Sequence, residues 1–139
     1  MERSPQEEIN EVVNVVLSVA QGLINEDGTF APFGAIMDKN GQVGMVVPVS
    51  EEEDVSMEQA REMVYKDLCK RAAEGEIRGS AVCLDIRMRE PRATDAILVA
   101  VEHVQAQALN VYMPYTVGEA APADFGAHWA ERAESRVFA

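Results

Sequence analysis

The sequence predicts an α+β fold: a five-stranded, mainly antiparallel sheet with two main helices, in the order α-β-β-α-β-β-β, followed by a C-terminal tail. Apolar residues between 9 and 24 recur at helical spacing, and those between 43 and 49 alternate as in a strand. Asn40-Gly41 joins two apolar runs, as in a hairpin. With 139 residues, the chain has the size of one domain, so we expect 1–139 to fold together with 116–139 packed on the body.

The first helix is predicted to begin at Ser4-Pro5-Gln6-Glu7 and to end at Asn25-Glu26-Asp27-Gly28. Ser4 caps it, Pro5 suits its first position and Glu7 completes a capping box. Its apolar residues cover an arc of about 200° on a helical wheel, which is wider than one sheet face covers. We therefore expect this helix to pack also against a second helix, the tail or another subunit.

Two strands joined by a turn follow. Phe30 to Met37 is predicted as a strand, with Pro32 at its start or on an edge because proline cannot donate to a ladder. Asn40-Gly41 is expected to supply the positive φ angles of the turn. The return strand is predicted from Gln42 to Val49. One of its faces carries Val43, Met45, Val47 and Val49.

The second helix follows the acidic run Glu51–Asp54, which we interpret as a solvated loop that complements the helix dipole. Ser56-Met57-Glu58-Gln59 forms another capping box, and Gly75 is the predicted end of the helix. A narrower apolar stripe predicts that one helical face is buried. The stripe consists of Met57, Ala60, Val64, Leu68 and Ala72.

Three further strands are predicted at Ile77–Met88, Asp95–His103 and Ala108–Tyr115. Charges near the end of the first of them indicate an exposed edge of the sheet. The middle one is apolar on both faces, so we expect it to be central and covered on both sides. Its two faces carry Ile97, Val99 and Val101 on one side and Ala96, Leu98 and Ala100 on the other.

The tail after Thr116 leaves two conformations open. In one, Asp124 caps a short helix that carries Phe125 and Trp129, whereas in the other the segment is extended and Val137-Phe138 closes it. Its aromatic residues indicate that the tail packs on the body, and the broad face of the first helix offers a surface for it.

The composition excludes several classes of function. A net charge of -12 repels nucleic acid and anionic membranes and favours basic partners. The sequence starts without the apolar segment of a signal peptide, and no apolar run is long enough to span a bilayer, so we expect a cytoplasmic protein. Cys69 and Cys83 are interpreted as small apolar core residues in a reducing compartment.

The element order is similar to that of roadblock and profilin-like domains, over nearly the whole chain. The resemblance implies that the two groups of strands join through the first and last strands, near Phe33 and Val111. It places the strands predicted at 42–49 and 77–88 at the edges of the sheet. A shared topology does not imply a shared function.

Several segments also resemble a family of small uncharacterised bacterial α+β proteins. These segments are Phe30–Ala35, Asp85-Ile86-Arg87, Asp95–Ile97, Val101-Glu102-His103 and Pro114-Tyr115. They are spread from the first predicted strand to the last. That family has no assigned activity, so the resemblance implies a bacterial protein but no functional residues.

The candidate binding residues are His103, Tyr112, Tyr115, Arg87 and Arg89. Glu102-His103 at a strand end is the best acid–base pair, but adjacent strand residues point to opposite faces, so Glu102 cannot orient His103 directly. The arginines share a strand face with Asp85. They form either a polar recognition patch or ordinary surface pairs with Glu102 or Asp95.

No catalytic set is recognisable beside these residues. Two cysteines and two histidines without close spacing do not indicate a zinc site, and the sequence has no glycine-rich phosphate loop. We therefore expect no metal ion and no cofactor. These observations favour a function other than catalysis.

Three functions remain open. A protein-interaction or scaffold module, binding itself as a homodimer or another protein, is favoured by the wide apolar stripe and the exposed strand edges. An acidic inhibitor or immunity-type protein for a basic partner is favoured by the net charge. A small-ligand binder or enzyme would have its site near His103, Tyr112 and Tyr115.

Overall fold

The computed structural model describes residues 4–47, 55–88, 94–117 and 123–138. The helices are α1 (Pro5–Asp27) and α2 (Met57–Ala73). The strands are β1 (Phe33–Asp38), β2 (Val43–Val46), β3 (Ile77–Arg87), β4 (Asp95–His103), β5 (Ala106–Thr116), β6 (Asp124–Phe125) and β7 (Trp129–Arg132). In the described ranges, seven strands form one antiparallel sheet. The α+β class is confirmed, with two strands more than the sequence predicts.

Both helices begin and end at their sequence signals. Ser4 and Ser56 each accept a hydrogen bond from the N–H three residues later, and the side chain of that later residue bonds back to the serine N–H. Gly28 and Gly75 follow the helices with φ angles of 78° and 71°, in the left-handed region that favours glycine. Of the helices in the described ranges, none has both the length and the hydropathy that crossing a bilayer requires.

The β1–β2 hairpin turns at Asp38. Its carboxylate accepts the backbone N–H groups of Asn40 at 2.8 Å and Gln42 at 3.0 Å. Gly41 has a φ of 83°, whereas Asn40 has no positive φ, so the prediction that both residues adopt this conformation was wrong for Asn40. The return strand ends at Val46, and Val49 lies outside the described residues.

The strand order is β2-β1-β3-β4-β5-β6, and β7 also pairs with β5. Phe33 on β1 lies opposite Cys83 on β3, so the expected junction between the first and last strands near Val111 was wrong. The prediction that β3 forms an edge was also wrong. The 11-residue β3 extends beyond the 6-residue β1, and its residues after Cys83 pair with β4 alone in the described part of the chain. This overhang explains why the charged end of β3 resembles an edge.

β4 is central, as predicted, but its two faces are not covered equally: the α1 face is buried, whereas Leu98 and Ala100 on the other face are only partly buried. Ile97, Val99 and Val101, which share one face of β4, belong to the core beneath α1. Leu98 lies on the opposite face and packs against the core that contains Val64 and Leu68 of α2. The protein therefore has three layers, with one helix on each side of the sheet.

Most of the wide apolar stripe of α1 is covered within the chain. Val19, on its flank, is partly buried against the core, and Val15 is 36% exposed. The tail reaches the end of this helix, because the Ala123 N–H donates to the Asn25 side chain at 2.9 Å and Phe125 packs against the same core. We expected a second helix, the tail or another subunit to cover the wide face of α1. The tail covers part of that face, near the end of the helix.

The tail is extended, so the alternative of a helix capped by Asp124 was wrong. β6 and β7 both pair with the outer edge of β5. They are separated opposite Pro114, which has no N–H to donate, and the Gly126 N–H bonds to the Pro114 carbonyl at 2.8 Å. A Cβ on Gly126 would lie 2.9 Å from the proline ring, so glycine permits this close approach.

The two cysteines have different environments. Cys83 is buried in the core beneath α1, as predicted, and burial raises the pKa of its thiol. Cys69 on α2 is exposed, so its prediction as a core residue was wrong. Tyr65 and Leu68 supply the buried face of α2 at this level instead.

Candidate binding groove

The sheet face opposite α1 is only partly covered by a helix. α2 packs mainly on β1 and β3, so the neighbouring surface of β4, β5 and β7 remains partly exposed. Cross-strand pairing places its side chains next to one another. We call this surface the groove. Its floor consists of Leu98, Ala100, Asn110, Tyr112 and Trp129.

An aromatic pair forms one end of the groove. Tyr112 and Trp129 lie opposite each other on β5 and β7, and their rings stack with centroids 5.4 Å apart and planes inclined by 19°. Leu98 on β4 lies on the other side of Tyr112. Because Trp129 is the only tryptophan in the sequence, its fluorescence reports on this end of the groove.

Residues 134–138, which we call the strap, close the other end. Ala133 still bonds to β5, since its N–H donates to the Ala108 carbonyl at 2.9 Å. The strap then crosses the sheet towards α2. A cavity of about 330 Å³ lies there, and its lining includes Tyr65, Asn110 and Glu134. This volume is at the lower end of the range for ligand pockets.

Glu102 holds the strap by its backbone. The Glu102 side chain is buried and accepts the N–H groups of three consecutive residues: Arg136 at 3.0 Å, Val137 at 3.0 and 3.1 Å, and Phe138 at 3.3 Å. A buried carboxylate needs such donors, because an unpaired buried charge is strongly destabilising. The donors are backbone groups of a bend at Arg136 and Val137, so a segment of almost any sequence that bends in the same way can supply them.

The side chain of Arg136 binds α2. Its guanidinium carbon lies 3.8 Å from the centroid of the Tyr65 ring, and the guanidinium pairs with Glu62 at 3.2 Å. The Cys69 thiol donates to the Arg136 carbonyl at 3.5 Å. Burial raises the pKa of the Tyr65 phenol, although the positive charge of Arg136 acts in the opposite direction.

The rim of the groove is acidic. Glu131 lies opposite Asn110, and Glu134 lines the cavity. Both side chains are exposed, and neither forms a hydrogen bond or ion pair with another residue in the described part of the chain. Glu62 already pairs with Arg136 at 3.2 Å and Arg61 at 3.7 Å, so Glu131 and Glu134 are the carboxylates that favour a further positively charged ligand here.

His103 faces the α1 side and belongs to a buried polar cluster. Its Nδ1 accepts the Gln105 N–H at 3.1 Å, so Nε2 carries the proton and donates to Glu8 at 2.9 Å. Arg78 binds the other carboxylate oxygen of Glu8. Burial acts to raise the pKa of Glu8, but the hydrogen bonds from His103 and Arg78 and the charge of Arg78 lower it. The cluster ties α1 to the ends of β3 and β4.

Tyr115 takes part in a separate contact on the α1 side. Its hydroxyl donates to Asp85 at 2.5 Å, and the Thr29 hydroxyl donates to the other oxygen of Asp85 at 2.6 Å. Burial raises the pKa of Tyr115, and the bond to Asp85 raises it further. Tyr115 pairs with Asp95 at the start of β4, whereas His103 ends that strand. At about 3.3 Å per residue, the two lie on the order of 26 Å apart.

The structure therefore does not bring the predicted binding residues into one site. His103 and Tyr115 lie at opposite ends of β4 on the α1 side, and Tyr112 lies on the other face, in the groove. The prediction that Glu102 and His103 point to opposite faces is confirmed.

Of the two candidate arginines, Arg87 is exposed and pairs with Asp95 at 3.4 Å across β3 and β4. This is the surface pair expected as the ordinary interpretation. Arg89 lies outside the described residues. Glu102 does not join these groups, because its side chain binds the strap.

Sequence reasoning did not identify Glu62, Tyr65 or Arg136. The spacing of Glu62 and Tyr65 places both on one side of α2, which was the available signal. That signal does not reveal that Arg136, far along the chain, binds between them.

Within the described ranges, no group of three or more histidine, cysteine, aspartate or glutamate residues is arranged to hold a metal ion. No protein-family model, curated protein or solved structure matches this chain. The geometry of the groove is therefore the basis on which a function is proposed.

Proposed function

We propose that the protein is a protein-interaction module that binds an extended segment of another protein in the groove. The observation that carries this proposal is the partly exposed face of β4, β5 and β7, where Leu98, at the margin of the core beneath α2, lies beside Tyr112 and Trp129. Aromatic and aliphatic side chains at the centre of a polar rim are typical of protein-recognition surfaces.

A selection from a random peptide library tests the proposal. Asn110→Arg fills the floor of the groove and should abolish the capture of selected peptides. Asn14→Arg makes the same change on the exposed surface of α1 and should leave capture intact. Binding should also shift the emission of Trp129, the single tryptophan. A selection that yields no peptides, or peptides that both variants bind equally well, would count against the proposal.

An inhibitor of a basic protein is a second candidate, which the net charge of -12 favours. An inhibitor of this kind relies on long-range attraction, so its affinity should fall steeply between low and high salt. A groove that recognises apolar side chains is much less sensitive to salt. Light scattering after size exclusion, at both salt concentrations, establishes whether the partner is a second copy of the chain.

A further inference from the structure

We infer that the strap acts as an internal ligand of the groove, and that the partner segment is basic. The segment that replaces Arg136–Phe138 bends as the strap does and carries an arginine or lysine followed by apolar residues. This inference rests on the proposed function and specifies the chemistry of its partner. Three kinds of contact that the strap makes lead to it.

The first contact defines the backbone of the ligand. Glu102 is buried and accepts the N–H groups of Arg136, Val137 and Phe138. When the strap leaves, this carboxylate has to regain donors, since a buried carboxylate without partners is costly. The strap bends at Arg136 and Val137, which turns three consecutive N–H groups towards one carboxylate. A replacement segment therefore has to bend in the same way and to present consecutive free N–H groups.

The second contact defines the charge. Arg136 stacks on Tyr65 and pairs with Glu62, yet its side chain remains 48% exposed. Ion pairs and cation–π contacts at such exposed positions are weak, so another cation is able to take the same place. Glu131 and Glu134, which have no partner in the described part of the chain, add negative charge nearby. A basic partner complements all of these groups.

The third contact defines the residues after the cation. Val137 is buried in the core beneath α2, and Phe138 is partly buried beside it. An open cavity of about 490 Å³, lined in part by Cys69, Val104 and Phe138, extends alongside. Apolar side chains larger than those of the strap fit this space.

An internal ligand reduces the apparent affinity of the groove, because only the fraction of molecules with a displaced strap is competent to bind. Weakening the strap should therefore tighten the binding of an external peptide. A simple binding site that lacks an internal competitor does not behave in this way.

The experiment uses the full chain and a fluorescent peptide in which Arg-Val-Phe is flanked by glycine and serine. Arg136→Ala should bind this peptide about tenfold more tightly than the wild type, whereas Arg136→Lys, which keeps the cation, should bind like the wild type. Thermal unfolding confirms that each variant is folded. A peptide with glutamate in place of arginine should not bind.

The receiving surface is tested in the Arg136→Ala background. Adding Glu62→Lys should weaken peptide binding by about tenfold or more, because a like charge replaces the ion-pair partner. Adding Glu26→Lys makes the same charge change at the exposed end of α1 and should alter affinity by no more than about twofold.

Three results would overturn the inference. In the first, wild type and Arg136→Ala bind the peptide with equal affinity. In the second, Glu62→Lys and Glu26→Lys change peptide affinity equally. In the third, Arg136→Ala does not bind the peptide but dimerises through the strap of a second copy. The two proposals fail separately. If the selected peptides are acidic or neutral but still lose binding in Asn110→Arg, the proposal of an interaction module is supported and the inference of a basic partner is contradicted.

Discussion

Glu102 and His103 are adjacent on β4, yet they fasten segments to opposite faces of the sheet. The Glu102 carboxylate binds backbone N–H groups of the strap on the α2 side. The His103 imidazole binds Glu8 of α1 on the other side. One end of the central strand therefore anchors α1 and the strap together, which gives this dipeptide a structural role.

Replacing Glu8 with glutamine should destabilise the fold near pH 7 by about 1–3 kcal/mol, because glutamine cannot balance the charge of Arg78. The fold lowers the pKa of Glu8. Its stabilising effect is therefore present above about pH 4.3, the ordinary value for glutamate, and is lost as the pH falls further. Urea unfolding should show that variant and wild type differ less in free energy of unfolding near pH 3 than near pH 7.

Glu26→Gln, at an exposed position of α1, is the control for this change and should match the wild type at both pH values. A difference between Glu8→Gln and wild type that stays constant from neutral to acid pH would contradict the role assigned to Glu8.

Replacing Tyr115 with phenylalanine removes the bond to Asp85 and should cost about 1 kcal/mol near neutral pH. The fold raises the pKa of Tyr115, so the stabilisation it provides is present below about pH 10 and is lost as the pH rises above that value. Urea unfolding should show that the free energy of unfolding falls less between about pH 8 and pH 11 in the variant than in the wild type. Part of the loss should remain, since burial also raises the pKa of Tyr65. Equal alkaline losses would contradict this prediction.

Glu102→Ala should release the strap. Losing hydrogen bonds to a charged group should lower the free energy of unfolding by at least about 2 kcal/mol. Hydrogen exchange at the amides of Arg136, Val137 and Phe138 should become at least about tenfold faster, because these N–H groups lose their acceptor. Glu131→Ala, on the exposed rim, should leave the exchange unchanged. Strap amides that stay protected in Glu102→Ala would show that Glu102 is not the anchor.

Gly34→Ala tests how closely α2 packs on β1. A Cβ at Gly34 would lie 2.6 Å from Cγ1 of Val64, so we expect a cost of about 1–3 kcal/mol. Combining it with Val64→Ala should cost less than the sum of the single changes, because Val64→Ala removes the clashing methyl group. At Gly44 a Cβ would meet Ile36 at 3.7 Å, an ordinary contact, so Gly44→Ala should be nearly neutral. If chemical denaturation shows that the costs of Gly34→Ala and Val64→Ala in free energy of unfolding are strictly additive, the contact between these two residues is contradicted.

Local signals predicted local features correctly. The caps at Ser4 and Ser56, the helix end at Gly28 and the bounds of β4 all depend on residues within a few positions of one another. The pairing of β1 with β3 was not predictable in this way. Both β3 and β5 carry apolar faces that suit β1. Which of the two strands pairs with β1 depends on long-range packing, such as the approach of α2 to Gly34.

The sequence by itself determined the helices, the alternation of faces along β3 to β5, and the opposite orientations of Glu102 and His103, since backbone geometry imposes them. Only the tertiary structure decided the strand order and the groove. The tail was ambiguous because its conformation is set by distant partners: Pro114 divides β6 from β7, and Glu102 receives the backbone of the strap. A contact such as that of Arg136 with Tyr65 has no local signature, because it exists only after those partners have placed the chain.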